Sequence, residues 1–526
     1  MIMNTQWEVA MRYSRRDVLG WGVKAGVALG AASLAPSVVL AESRRPQVTS
    51  GVMSGDMLSD RAMLWSRSDR PARMLVELAD NPAFRGARQV RGPEVLPSGG
   101  LAGKLDVTGL GDIGMLHYRV RFAALDDPRA LSEPVEGRLS LPPSQSRDVR
   151  FVWSGDTVGQ GWGIDESRGG MTIYDTMRRQ RPDFFIHSGD TVYADGPLEE
   201  SVTLANGETW RNVVTPAKQK VAETLDEYRG QHTYNLLDAN LRRFNAEVPM
   251  LAQWDDHETT NNWYPGEWLE DERYTEKNVS LLAARGRQAF LEHTPVRQRS
   301  TAPGRIHRRF AYGPSLDVFM LDMRTYRGAN SRNRQTESSA QTAFLGEDQF
   351  DWLRRSLKES TATWKVIASD MPIGLVVSDG DAYEAIANGD AGAPLGRELE
   401  VARLLRSIRD DKIQNVVWLT ADVHYTAAHH YSPERARFQE FAPFWEFVSG
   451  PLHAGTFGPG ALDATFGPEV IFQKAPPEGE SNLPPSRGYQ FFGQVDLDGD
   501  SETLTVSLMD AAGNTLHRQQ LTPETA

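Results

Sequence analysis

The chain has 526 residues, 40% hydrophobic and 24% charged, with a formal net charge of −13 and no cysteine. That length allows more than one domain and a large buried core. The acidic balance argues against a nucleic-acid-binding surface, which needs basic residues against phosphate. The missing cysteine excludes disulfides, zinc fingers and a thiol nucleophile.

In chain order, the first element is a targeting segment. Ser14-Arg15-Arg16-Asp17-Val18-Leu19 precedes a mild apolar run, interrupted by Lys24 and Pro36, that ends at Val39-Leu40-Ala41. Twin arginines before such a run predict a twin-arginine export signal over 1–41, with the twin-arginine translocase as partner. A periplasmic or secreted location follows. The glycines and Lys24 make a stable membrane anchor a poorer reading, and no later stretch reaches the ~20 apolar residues of a span.

Residues 46–143 read as β. Short runs at 62–65, 74–78 and 117–122 are separated by Gly, Pro and Asp clusters, a spacing that suggests an immunoglobulin-like sandwich. Pro142 to Ser146 reads as a linker. From Val149 the pattern alternates between strands and helices. Helices are predicted at 171–180, 221–244, 281–293, 347–357 and 398–409, and strands at 317–321 and 365–368. The stretch 380–394, rich in Gly, Ala and Asp, predicts a surface loop. Asp498-Gly499-Asp500 between two β runs is a hairpin signal.

Four apolar runs end in an acid or a histidine. They are RFVWSGD (Asp156), DFFIHSGD (Asp190), MLAQWDDHE (Asp255, Asp256, His257) and VVWLTADVH (Asp422, His424). Each reads as a buried strand passing into a loop. Loops beyond strand carboxyl ends are where α/β sheets collect ligands. Carboxylates crowded there repel unless cations hold them, so the pattern predicts a metal cluster.

Asp190 is the strongest single candidate, with oxygens that can face two cations. Gly-Asp after a strand is otherwise an Asx turn or helix cap. Tyr193 offers a phenolate, a ligand suited to a hard trivalent ion such as ferric iron. Asp422 and His424, two apart on an extended segment, are expected to face one metal centre. His429 and His430 fit either that site or a continuing strand. Asp255-Asp256-His257-Glu258 with Asn261 and Asn262 packs acids, imidazole and amides together; a solvated polar loop is the alternative. Arg168, Arg324 and Arg327 offer guanidinium forks for phosphate, or pair with acids such as Asp322. No phosphate-binding glycine loop is present. The serine in Gly51-Val52-Met53-Ser54-Gly55 is displaced from a nucleophile elbow.

The combination resembles the PhoD-type (alkaline phosphatase D) family. It runs from the twin arginines and Gly51-Val52-Met53-Ser54-Gly55-Asp56 through His187 to Tyr193, Trp254 to Asn262, Asp322 to Arg327, and Ala421 to His424. The resemblance implies an α/β fold: an immunoglobulin-like N-terminal domain over 46–143, then a metallophosphoesterase αββα sandwich over 147–522. It also implies ferric iron with calcium, and hydrolysis of small phosphate esters outside the cytoplasm. By the same resemblance Asp190 bridges, Tyr193 binds iron, and Asp256, Asn262, Asp422 and His424 are ligands. Members commonly place a cysteine ligand after the first core strand. Here Asp156 stands in that region, which opens the metal's identity. His257 is the expected proton donor to the leaving group, with Arg168 and Arg324 orienting the phosphate. The alternatives are a phosphotriesterase or nucleotide-cleaving enzyme on the same scaffold, or a non-catalytic binding protein with structural metals.

Overall fold

The computed structural model describes residues 45–111 and 114–524. The export signal expected over 1–41 lies outside them. Two large sheets form the middle of the molecule. The first has nine strands, with Val149–Ser154, Phe184–Ser188 and Met250–Gln253 running parallel at its centre. The second has seven, with Leu316–Met320, Trp364–Ala368, Val416–Thr420 and Phe444–Val448 parallel. These strands are nearly continuous apolar runs, as parallel strands covered on both faces must be. Phe151, Trp153, Ile186 and Leu251 meet Val318, Met320, Val366 and Leu419 in one core between the sheets.

Four helices, Thr172–Arg179, Leu225–Asn235, Ala239–Glu247 and Val279–His293, cover the outer face of the first sheet. Glu347–Glu359 and Glu398–Asp410 cover the second. Polar ties reinforce the packing of sheet on sheet. Trp153 Nε1 donates to the Thr420 carbonyl at 3.1 Å. Gln253 Nε2 donates to the carbonyls of Leu321 and Ala368, each at 2.9 Å. The second tie pins three strand ends side by side, and the loops that follow those ends carry the acids.

The N-terminal region does not stand apart. Val48–Leu58, Arg61–Ser68 and Ala102–Thr108 extend the first large sheet, joined to it by the parallel pairing of Gly55 with Met250. Arg88–Val95, Ala72–Ala79, Met115–Ala124 and Val135–Ser140 make a separate antiparallel sheet. Val52, Leu64 and Val107 of the first group and Met74, Val76 and Val120 of the second belong to the core that continues between the large sheets.

Two sequence expectations need correction. The helix predicted over 221–244 is two helices. Thr224 and Glu227 form a capping box on the first, and Asp238 caps the second by accepting from the N–H groups of Asn240 and Leu241. An Asp that caps a new helix takes its own backbone out of helical geometry. The stretch 380–394 is not simply surface. Ser378–Asp379 pairs with Ala382–Tyr383, and Glu384 to Asn388 is buried. Glu384 is drawn in by two arginines, and Asn388 donates to Glu398 at 3.0 Å.

Candidate metal centre

The loops beyond the carboxyl ends of the parallel strands converge. Asp156 follows Val149–Ser154, Asp190 follows Phe184–Ser188, Asp255 and Asp256 follow Met250–Gln253, and Asp422 follows Val416–Thr420. All are buried. Their side chains form three overlapping groups whose ligand atoms lie within 4.8 Å of one another: Asp156, Asp190 and His424; Asp190, Asp256 and His257; and Asp255, Asp256 and Asp422. Asp190 and Asp256 are the shared members.

The backbone makes this convergence possible by leaving the strands sharply. Asp156, Asp190, Asn262, Asp422 and His424 all have positive φ, between 49° and 68°. Non-glycine residues seldom adopt that region, Asn and Asp most readily, and such strain gathers at functional sites. Gly189 turns with φ 103°, and a Cβ there would lie 2.6 Å from that of Asp255. Only glycine lets these two strand ends approach so closely.

This geometry changes one expectation. Asp422 and His424 do not sit side by side on an extended segment facing one centre. Left-handed turns at both residues send Asp422 to Asp255 and Asp256, and His424 to Asp156 and Asp190. His429 and His430 lie in the strand Thr426–Tyr431, with His429 Nδ1 3.1 Å from Glu446. They are outside the cluster.

Burial and mutual repulsion push the carboxyls of Asp156, Asp190 and Asp422 well above the usual range. Asp370 behaves alike, by burial and then by the neighbouring charge of Asp255. Asp256 goes the other way. Burial opposes its ionisation, but His257, Arg324 and the Asn262 N–H hold it down to about 2. Burial raises the Tyr193 phenol, with Asp190 and Asp156 adding to the effect.

The residues fit cations. Asp156 Oδ2, Asp256 Oδ1 and both oxygens of Asp370 are buried without a hydrogen-bond donor. Gly450 cradles Asp156, for a Cβ there would fall 2.3 Å from Oδ2. His424 directs Nδ1 at the Gly455 carbonyl, which leaves the Nε2 lone pair facing the Tyr193 hydroxyl at 2.9 Å and Asp156 at 3.6 Å. Fixing one ring nitrogen to aim the other is how metal-binding histidines are oriented. Burial lowers the His424 pKa to about 4, so the lone pair is free at neutral pH. Carboxylate, imidazole and phenol donors suit hard or borderline cations. Asn262 donates from its backbone N–H to Asp256 at 2.6 Å, and its amide Nδ2 lies 3.3 Å from Asp379.

His257 packs against Tyr193 with ring centroids 4.1 Å apart and the planes tilted by 30°. Its Nδ1 meets Asp195 at 2.7 Å, and its Nε2 lies 3.9 Å from Asp256. Burial disfavours its charge, but Asp195 and Asp256 outweigh that and raise its pKa to about 9.

The arginines expected to orient phosphate are placed otherwise. Arg324 is 0% exposed. Its guanidinium pairs with Asp255 and Glu384 and lies 3.9 Å from Asp256. A guanidinium this deeply buried and held between Asp255 and Glu384 serves the cluster as a counter-charge. Arg327 shares Glu384 at 2.6 Å. Arg168 ends a short turn, pairs with Glu208 at 2.9 Å and Asp165 at 3.5 Å, and lies over Trp210. None of these contacts is with the cluster.

Sequence reasoning missed Asp370 and Asp195. Asp370 ends Trp364-Lys365-Val366-Ile367-Ala368-Ser369-Asp370, an apolar run closing on an acid like the other four, so the same rule would have found it. Asp195 carried no such signal, for it lies past a strand end in a polar stretch.

Comparison with known proteins places the chain in a family. Residues 151–508 match the PhoD-like phosphatase family, and 33–143 match its N-terminal domain. The chain belongs to the PhoD-like phosphatase family. It is 29% identical over 474 residues to alkaline phosphatase D of Bacillus subtilis (strain 168), covering 84% of this chain and 76% of that one. Like its family, it is a phosphoric ester hydrolase. A solved structure of PhoD superimposes with a TM-score of 0.67 at 21% identity, covering 91% of this chain and 92% of that one. A purple acid phosphatase from yellow lupin (Lupinus luteus) seeds has a TM-score of 0.54 at 12% identity, over 91% and 74%. These two likenesses support a mixed α/β fold built from several sheets. In this PhoD-like phosphatase no helix among the described residues is long and apolar enough to cross a membrane.

Proposed function

We propose that this phosphatase is an exported, metal-dependent hydrolase of small phosphate monoesters or diesters. The observation that carries the reading is the chain of three overlapping acid and histidine groups, linked through Asp190 and Asp256. Ferric iron and calcium are the proposed ions, held by Asp156, Asp190, Tyr193, Asp256, Asn262, Asp422 and His424. Asp370 is added to that set. Bound cations would supply positive charge for the phosphoryl oxygens and an activated water. The proposed domains are an export signal over 1–41, an immunoglobulin-like sandwich over 46–143, and an αββα phosphoesterase core over 147–522.

The chain's own residues supply the rest. Asp195 fixes the imidazole of His257 through Nδ1 and favours its protonated form, leaving Nε2 as a donor toward the cluster. A donor so placed can protonate a leaving alkoxide, a contribution of roughly 10²–10⁴-fold in rate. Tyr193 packs against the same ring. Arg324 balances Asp255 and Glu384 and offsets part of the acids' mutual repulsion.

Asp190→Asn tests the reading. Removing a shared ligand should deplete bound metal and cut hydrolysis of both monoester and diester model substrates by orders of magnitude. Full metal content and rate in that variant would refute it.

A further inference from the structure

A second cavity shares no lining residue with the acid cluster. It lies where the end of Val48–Leu58 meets the edge strand Arg308–Ala311 and the helix Glu347–Glu359. Its volume of about 260 Å³ is below the roughly 300–1,000 Å³ of pockets for drug-sized ligands. A small group is its natural occupant.

The walls carry five arginines, 297, 299, 305, 308 and 309, and one acid, Asp56. In a chain of net charge −13, such a concentration creates a local field that attracts anions. Three of the five pair with acids, although Arg297 shares its acid with Arg61. Arg308 pairs with Asp56 at 2.8 Å, Arg297 with Asp106 at 3.0 Å and Arg309 with Asp317 at 2.7 Å. Arg299 and Arg305 are exposed and form no ion pair among the described residues.

His307 supplies an independent sign. It lines the cavity at 1% exposure, and neither ring nitrogen has a hydrogen-bond partner. Leaving a buried polar group unsatisfied costs about 1–3 kcal/mol, unless a ligand completes it. The ring is held in place against Trp352 at 4.8 Å and Tyr326 at 5.7 Å between centroids. Burial and the charge of Arg305 lower its pKa to about 4. At neutral pH the imidazole therefore keeps one N–H to offer.

We propose that this cavity binds a phosphate-sized oxyanion, with Arg299 and Arg305 as its charge partners and the His307 N–H as a hydrogen-bond donor. The oxyanion is either free inorganic phosphate or a second phosphoryl group on a longer substrate. The inference rests on the cavity's own residues and stands apart from the metal-site reading.

The test is calorimetric titration of inorganic phosphate into the metal-loaded enzyme at low ionic strength. Wild type is compared with Arg299→Ser/Arg305→Ser and with His307→Phe, which keeps the ring stack. If free phosphate is the ligand, a binding component weakens about tenfold or more in both variants, and KM for nitrophenyl phosphate is unchanged. If the group is carried on substrate, KM rises about tenfold only for an ester bearing two separated phosphoryl groups. Identical isotherms and unchanged KM for both esters in both variants would overturn the proposal.

Discussion

Arg324→Met distinguishes a counter-charge from a phosphate-binding fork. Arg324 is buried among Asp255, Asp256 and Glu384. At the 3.9 Å separation from Asp256, one unit-charge contact is worth about 4 kcal/mol at an effective dielectric near 20. Not all of that is lost on truncation. Glu384 keeps Arg327 at 2.6 Å, and Asp256 keeps His257 and the Asn262 N–H. Asp255 forms no other ion pair among the described residues, with Arg327 and His257 acting on it only from farther off, and it faces Asp370. Removing one partner of a buried pair typically costs about 3–5 kcal/mol, and here that loss falls on Asp255. Bound cations would take over part of the neutralisation. Urea unfolding followed by tryptophan fluorescence should therefore show a loss of about 3–5 kcal/mol in metal-stripped protein, and a clearly smaller one in loaded protein. A loss below about 1 kcal/mol in both states, with KM raised instead, would refute the counter-charge role and return Arg324 to substrate binding.

Asp195→Asn should move the alkaline limb of the pH profile for alkyl phosphate hydrolysis to lower pH. The carboxylate raises the His257 pKa toward about 9, and without it the imidazole returns toward its ordinary value near 6.5 and loses its proton sooner. Bound cations lower both values, so the readout is the displacement, about one unit or more. An unmoved profile would leave Asp195 only its structural bond to the Asn261 N–H at 2.9 Å. If ferric iron is bound through Tyr193, loaded enzyme should show a visible charge-transfer band that Tyr193→Phe abolishes; a colourless, fully active wild type without iron would exclude that ion. Arg15→Lys with Arg16→Lys should strand precursor in the cytoplasm, and normal export of the double variant would contradict the twin-arginine route.

The strand ends were legible because parallel strands covered on both faces spell apolar runs, and an acid ending such a run stands out. The same contrast exposes Asp370, although that run was read only as a strand. Local signals also placed most helices, from the acids opening Glu347–Glu359 to the spacing of Val279–His293. What failed needed knowledge of distant partners. Arg168 has one local partner, Asp165, but nothing near Arg324 or Arg168 announces Glu384 or Glu208, which are 60 and 40 residues away. Asp422 and His424 were separated by left-handed turns that a two-residue alternation cannot anticipate. The union of the N-terminal strands with the first large sheet depends on one parallel pairing, Gly55 with Met250, which neither segment announces alone.

Chelation and metal restoration test the central claim most directly. Enzyme stripped of metal should lose phosphoester hydrolysis, and activity should return in proportion to the metal bound per chain, measured by elemental analysis on the same samples. Stripped enzyme with negligible metal that retains the full rate would contradict the account.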